Sequence, residues 1–169
     1  SPGLAFPETN AIIGNTVLYG ATSGRLFAAG GAGERFAVRN SGAVAVIEGV
    51  GANGCEYMTG GQVVVLGAVG DNFAAGMTGG MAWVLDLHDR FQSGVNDESV
   101  VVQRLASEHW EGVLHALVSE HAAETGSRFA KELLRDWDRV RGAFWQVCPK
   151  EMIKRLAHPL TDEAALESA

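Results

Sequence analysis

Cysteine, basic residues and long apolar runs are scarce in this sequence, and each shortage excludes a class of protein. The 169 residues include two cysteines, Cys55 and Cys148, which lie far apart. Two isolated thiols make neither a disulfide framework nor a metal-ligand pattern, so we expect both to be buried apolar residues. No run of eighteen apolar residues occurs, and no membrane partner is therefore expected. The N-terminal residues lack the basic and apolar regions of a signal peptide, which favours a cytoplasmic location.

The basic residues are outnumbered by acidic ones. Thirteen Lys and Arg stand against 20 Asp and Glu, and the formal net charge is -7 at pH 7. Because phosphate binding needs a basic face, we expect no nucleic-acid partner. The acidic residues are spread among Lys and Arg through the second half of the chain, which is typical of solvated helical surfaces.

The common catalytic motifs are also missing. The chain has no phosphate-binding loop ending in Gly-Lys-Ser/Thr, no G-x-S-x-G and no H-E-x-x-H. His115 and His121 are predicted on one helix, but a spacing of six residues turns them about 120° apart. Glu48 and Glu56 have no base or nucleophile beside them in the sequence, and we expect them to bond backbone groups. We therefore predict no catalytic, cofactor-binding or metal-binding residue.

What the sequence does contain is glycine, and it is unevenly distributed. Residues 1–86 hold 18 of the 22 glycines but only 9 of the 33 charged residues. The first half is therefore predicted to form short apolar strands separated by glycine turns, and the second half amphipathic helices.

The first half repeats with a period near 19 residues. Four anchor glycines follow one another at spacings of 18, 19 and 19 residues, each before a short apolar run and each two residues after a Thr or Asn. A second set of apolar runs, around Tyr19, Phe36, Tyr57 and Phe73, is predicted to form further strands. The repeat positions are Gly24, Gly42, Gly61 and Gly80, with Thr22, Asn40, Thr59 and Thr78.

This short period suits one coil of a β-solenoid and is too short for helical repeats or propeller blades. Equivalent residues of stacked coils lie about 4.8 Å apart and form columns. We predict about four parallel coils over residues 14–86, with Val44, Val63 and Ala82 stacked inward and the Thr/Asn column bonding backbone at a corner. The left-handed hexapeptide solenoid is an alternative, but its six-residue series of aliphatic residues breaks at Glu56.

A second alternative is a dinucleotide-binding site, since residues 49–54 spell G-x-G-x-x-G after an apolar run. Such a site needs a helix to begin at the last glycine. The paired glycines Gly60 and Gly61 follow too closely for a stable helix, so we assign this motif to the coil repeat.

The second half is predicted to form a helical cap. Val100 to Leu105 is one more predicted strand, Ser107 and Ser127 are predicted N-caps, and Pro149 is predicted to begin a short last helix. Two apolar stripes at helical spacing are expected to face the core; they comprise Trp110, Val113, Leu114, Leu117 and Val118, and Phe129, Leu133, Leu134 and Trp137. The predicted segments are a lead-in (1–10), the β-helix (11–106), the cap (107–158) and a tail expected to be disordered (159–169).

The repeat resembles the GXGXG domain at the C-terminal end of glutamate synthase large subunits. The runs that carry the resemblance are residues 14–22, 33–43, 54–61 and 72–80, which read GNTVLYGAT, GERFAVRNSGA, GCEYMTGG and NFAAGMTGG. The resemblance is strong from residue 11 to about 86 and less distinctive through the helical part.

This resemblance implies a right-handed parallel β-helix with a C-terminal helical segment. It implies a parent enzyme that hydrolyses glutamine, channels ammonia and makes glutamate reductively from 2-oxoglutarate. The family's N-terminal cysteine, its FMN and its iron–sulfur cluster belong to the parent's amidotransferase and synthase domains, which are the expected partners. None of these groups carries over, since residue 1 is Ser and the two cysteines are isolated.

The expected function is therefore that of a non-catalytic scaffold domain without a cofactor of its own. A stand-alone β-helix subunit, similar to that of formylmethanofuran dehydrogenases, is the alternative, and the helical region distinguishes the two. We also expect the isolated chain to form a homodimer through an exposed apolar edge strand at Val17–Tyr19.

Overall fold

The computed structural model describes residues 11–167, so the predicted lead-in with Pro2 and Pro7 lies outside the described residues. Within this range the chain forms eight strands, five α-helices and two 3₁₀ helices, Arg141–Ala143 and Lys150–Arg155. The strands and α-helices are β1 (Ala11–Ile13), β2 (Arg25–Phe27), β3 (Gly31–Ala32), β4 (Ser41–Ile47), β5 (Thr59–Val65), β6 (Gly79–Leu85), α1 (Phe91–Gly94), β7 (Val100–Arg104), α2 (Glu108–Thr125), α3 (Arg128–Arg135), α4 (Trp137–Val140), β8 (Phe144–Pro149) and α5 (Asp162–Glu167).

Four of these strands stack as the predicted parallel coils. Strands β2, β4, β5 and β6 are neighbours in one sheet, and each pair is parallel. The predicted solenoid is confirmed, but it makes about three turns rather than about four, since three connections join the four strands.

Each coil has two further sides. One is a short ladder that begins with the parallel pair β1–β3. It continues from coil to coil through backbone bonds from Ala32 N to Gly49 O and from Val50 N to Ala68 O, of 2.8 and 3.0 Å. The coil is therefore three-sided, and backbone groups on every side pair with adjacent coils, as buried amides require.

The third side was predicted to consist of strands, and this prediction is wrong. Every second residue there has a left-handed backbone, with φ between 55° and 66°. The amides of these residues donate alternately to the next coil and to the previous one; Arg35 N bonds Ala52 O, Ala37 N bonds Val17 O and Arg39 N bonds Glu56 O, all within 2.8–2.9 Å. The alternation keeps a coil-to-coil ladder without an extended backbone. Its left-handed positions are Thr16, Leu18 and Gly20; Arg35, Ala37 and Arg39; Asn53, Cys55 and Tyr57; and Asn72, Ala74 and Gly76.

The inward-facing column of the sheet differs by one residue from the predicted one. Ala45, Val63 and Ala82 are register partners and are fully buried inside the solenoid. Val44 pairs instead with Gln62 and packs on the opposite face of the sheet, so the predicted stack of Val44 with Val63 is wrong. Because successive side chains of a strand alternate between faces, a shift of one residue exchanges inside for outside.

This one-residue difference arises because the one coil of 18 residues is not where the anchor glycines predicted it. The register runs Arg25, Val44, Gln62 and Met81, so the 18-residue interval is the second and not the first. Gly24, Gly61 and Gly80 directly precede Arg25, Gln62 and Met81, and all three glycines have positive φ. Gly42 has no positive φ and does not directly precede Val44. Gly42 instead lies against the Thr22 carbonyl, as Gly60 lies against that of Ser41. The single column predicted for the four anchor glycines therefore excludes Gly42.

The outer face of the sheet is covered by the helical cap. Val46, Val64, Trp83 and Leu85 form one buried cluster with α2 and α3, and the two apolar stripes face this cluster. Ser107 and Ser127 are N-caps whose hydroxyls accept the amides of Trp110 and Ala130. Helix α2 ends at Gly126, which has the left-handed φ of 68° that favours glycine.

The cap segment also contains a strand that the sequence pattern did not indicate. Strand β8 pairs antiparallel with β6 and with β7, so the sheet has the order β2-β4-β5-β6-β8-β7. The predicted strand from Val100 is present as β7, and the short helix predicted to begin at Pro149 is the 3₁₀ helix Lys150–Arg155. The tail, expected to be disordered, contains α5, and Asp162 accepts the amide of Glu108 at the start of α2. Among residues 11–167, no helix has the length and apolar content needed to cross a membrane.

The close approach of coils gives a test with a matched control. A Cβ at Gly79 would lie 1.9 Å from the Thr59 carbonyl oxygen, whereas one at Gly112 on α2 would meet nothing within 4 Å. We expect Gly79→Ala to lower the free energy of unfolding by about 1–3 kcal/mol, because the coils must separate. Gly112→Ala should raise it by about 0.5–1 kcal/mol. Urea denaturation measures both, and equal effects would contradict the coil packing.

Candidate functional site

The most buried polar cluster joins the solenoid to its cap. Glu48 directly follows β4, His121 lies on α2, and Ser127 caps α3. The Nε2 atom of His121 and the Oγ atom of Ser127 each lie 2.7 Å from Oε2 of Glu48. All three side chains are at least nine-tenths buried. We call these residues the Glu48 cluster.

Strand alternation explains why Glu48 reaches the cap. Val46 points outward into the cap cluster, and Glu48, two residues later, points the same way. The Glu48 amide bonds the Gly30 carbonyl at 2.8 Å, which keeps this residue in the coil ladder. The sequence-based expectation that Glu48 bonds backbone is therefore wrong for its side chain. The available signal was a carboxylate ending an apolar strand opposite a histidine on an apolar helix face.

The geometry of the Glu48 cluster does not suit nucleophilic catalysis. In a catalytic triad the imidazole lies between the hydroxyl and the carboxylate. Here the serine and the histidine both bond the same carboxylate oxygen, and Ser127 Oγ also accepts the Ala130 amide at 3.1 Å. Nδ1 of His121 is buried without a hydrogen-bond partner among the described residues. What the cluster can do is fix α2 and α3 on the solenoid.

At the predicted Thr/Asn corner, the Asn40 side chain and the backbone amides form hydrogen bonds with neighbouring backbone groups. The buried Asn40 side chain accepts the amides of Gly42 and Ala43 and donates to the Ala43 carbonyl, at 2.9–3.2 Å. The amides of Thr59 and Thr78 bond the carbonyls of Asn40 and Met58 in the coil-to-coil ladder. That Thr22, Asn40, Thr59 and Thr78 have a structural role stays a prediction.

The G-x-G-x-x-G segment lacks the helix that a dinucleotide site requires. Residues 52–57 form a turn, and Asn53, Cys55 and Tyr57 belong to the left-handed side of the coil. The two cysteines are buried as expected; burial raises the pKa of the Cys55 thiol to about 12 and that of Cys148 to about 11. Neither thiol is therefore a reactive nucleophile at neutral pH. Within residues 11–167, no group of three or more potential ligands could hold a metal ion.

One cavity opens at the carboxyl ends of β5 and β6. It has a volume of about 410 Å³, and Asp86 lies in its wall. Burial alone would raise the pKa of Asp86, but hydrogen bonds from Arg90 N, Trp145 Nε1 and Phe91 N, with the charge of Arg104, hold it below its usual range. This carboxylate is thus ionised and used by its own chain. We call this site the Asp86 cavity; it is lined by residues 66–69 and 71, 84–88, 90, 91, 93 and 94, and 129.

Comparison with known proteins gives one consistent group of relatives. The GXGXG motif family matches residues 4–150. The chain is 66% identical over 151 residues to the glutamate synthase [NADPH] large chain of Azospirillum brasilense, which covers 89% of this chain and 10% of that protein. It is 53% identical over 148 residues to the ferredoxin-dependent glutamate synthase of Pyropia yezoensis, covering 87% of this chain and 10% of that protein. The chain spans about a tenth of the length of the curated relatives it matches.

The Glu48 cluster gives a second test with an exposed control. We expect Glu48→Ala to lower the free energy of unfolding by about 3 kcal/mol, because it leaves two buried donors without an acceptor. The control is Glu120→Ala, which removes the exposed ion pair with Arg25 and should cost less than about 1 kcal/mol. Urea denaturation at neutral pH measures both losses. A Glu48→Ala loss no larger than that of the control would contradict the structural role.

Proposed function

The chain belongs to the GXGXG motif family, and from this premise we propose that it is the non-catalytic scaffold domain of a glutamate synthase large subunit. The parent enzyme would make glutamate from glutamine and 2-oxoglutarate. The amidotransferase and synthase domains of that subunit would be the partners of this chain, and FMN and an iron–sulfur cluster would be bound there. A cytoplasmic location remains a prediction.

The observation that carries this proposal is that backbone polar groups of adjacent coils pair with one another and that the buried Glu48 carboxylate is used within the chain. Ladders on three sides of each coil take up backbone donors and acceptors, and the Glu48 cluster uses its carboxylate to attach the cap. Catalysis needs a nucleophile or base that is accessible and correctly paired. The described residues bring no such pair together, whereas a rigid stack with a fixed cap suits a spacer.

The helical cap favours this function over the stand-alone β-helix subunit. The matches to glutamate synthases extend over 89% and 87% of the chain, and so include the cap as well as the repeat. The cap would therefore be part of the glutamate synthase pattern, which supports a domain of that enzyme.

Activity of the full-length subunit tests the scaffold function. We expect His109→Ala and His115→Ala to leave kcat and KM for glutamine and 2-oxoglutarate within about twofold, because no catalytic group is removed. Gly79→Ala should lower the unfolding temperature instead, with the rate per folded subunit unchanged. A loss of kcat of about tenfold in a histidine variant with an unchanged unfolding temperature would contradict the proposal.

We further propose that the isolated chain forms a homodimer through its first coil. The predicted edge strand at Val17–Tyr19 is not a strand; β2 is the edge strand at the first-coil end of the sheet, and Tyr19, in the same coil, is 54% exposed. In sedimentation velocity we expect a concentration-dependent dimer that Tyr19→Lys weakens by about tenfold in Kd. The control Tyr57→Lys changes a residue of similar exposure, 51%, in a coil that is flanked by other coils. A monomer at every concentration would contradict the dimer.

A further inference from the structure

The lining of the Asp86 cavity is mainly apolar, and none of the described residues fills it. Its volume of about 410 Å³ lies near the lower end of the range for ligand pockets. Leu87 at its edge is 39% exposed. The buried apolar residues of its lining are Leu66, Val84, Leu85, Phe91 and Phe129, none more than 5% exposed.

Two polar side chains of the cavity wall, Asp86 and Ser93, are hydrogen-bonded within their own chain. Small-molecule sites carry a few polar groups that point at the bound molecule. Here Oδ1 of Asp86 accepts the Arg90 amide, and Oδ2 accepts the Phe91 amide and the Trp145 indole, at 2.9–3.2 Å. The Ser93 hydroxyl donates to the Arg90 carbonyl at 2.7 Å. The rest of the lining is mainly apolar and also includes the charged residues Asp71 and Arg90.

We propose that the Asp86 cavity receives one apolar side chain, Leu, Met or Phe, from another domain of the same polypeptide. This inference rests on the proposed function. The matched region is about a tenth of the relatives' length, so nine tenths of the parent polypeptide lie outside the structure and can supply the occupant. An apolar centre with a polar rim is the usual anatomy of a protein interface, and burying an apolar anchor in a preformed pocket stabilises it.

Photo-crosslinking in the full-length large subunit tests the proposal. The photoreactive residue p-benzoylphenylalanine replaces Leu87, and mass spectrometry identifies the peptide that it captures. We expect an intramolecular cross-link to a segment outside residues 1–169. The exposed Ala68 also lines the cavity, and Ala68→Trp should fill it and lower the cross-link yield by about tenfold.

The matched control is Ala123→Trp, at an exposed position of α2 away from the cavity, which should leave the yield unchanged. If Ala68→Trp does not fold, Ser93→Trp fills the cavity from another part of its lining. No cross-link, a cross-link only between two copies, capture only within residues 1–169, or a yield unaffected by filling the cavity would each overturn the proposal. Because the readout is a contact and not a rate, such failure leaves the activity test of the scaffold function standing.

Discussion

Every coil of the solenoid must pair its backbone amides and carbonyls with the coils on both sides, and the rest of the structure depends on this requirement. On the sheet side and on the left-handed side, equivalent residues of successive coils are separated by the same numbers of residues. The sheet register steps by 19, 18 and 19 residues from Arg25 to Met81, and the left-handed positions step equally from Thr16 to Asn72. The short second interval is therefore shared by both sides. The starts of β4 and β5 depart from these intervals, since Ser41 pairs with Gly60 and Thr59 with Gly79 before a shift in register.

The left-handed side explains the small residues inside the solenoid. Ala37, Cys55 and Ala74 occupy three of its four central positions, with φ near 60° and no exposed surface, and the partly buried Leu18 occupies the fourth, in the first coil. A left-handed backbone costs an L-residue about 1–2 kcal/mol, so each position persists because its amide is paired with an adjacent coil. Large or β-branched side chains would add crowding to this cost, which favours small side chains here.

The parallel sheet has two apolar faces, and the cap exists because both must be covered. The inner face fills the solenoid, while Val46, Val64 and Trp83 on the outer face need α2 and α3. The Glu48 cluster fixes the orientation of α2 and α3 on the sheet, since two donors from different helices must reach one carboxylate oxygen. A rigid stack with an oriented cap is the property that a domain-spacing function would use.

The sequence by itself determined the repeat, the parallel coils, the cap helices with Ser107 and Ser127 at their N-termini, and the family resemblance, because these depend on local periodicity and capping chemistry. Only the tertiary structure decided the register, the left-handed side, strand β8 and the Glu48 cluster. The anchor glycines gave the right period but the wrong short coil, because all of Gly42, Gly60 and Gly61 lie against a carbonyl of the preceding coil but only Gly61 has positive φ, so Gly42 corresponds to Gly60. Glu48 and His121 lie 73 residues apart, and contacts at such a separation leave no local pattern, since they arise only when the cap packs on the sheet.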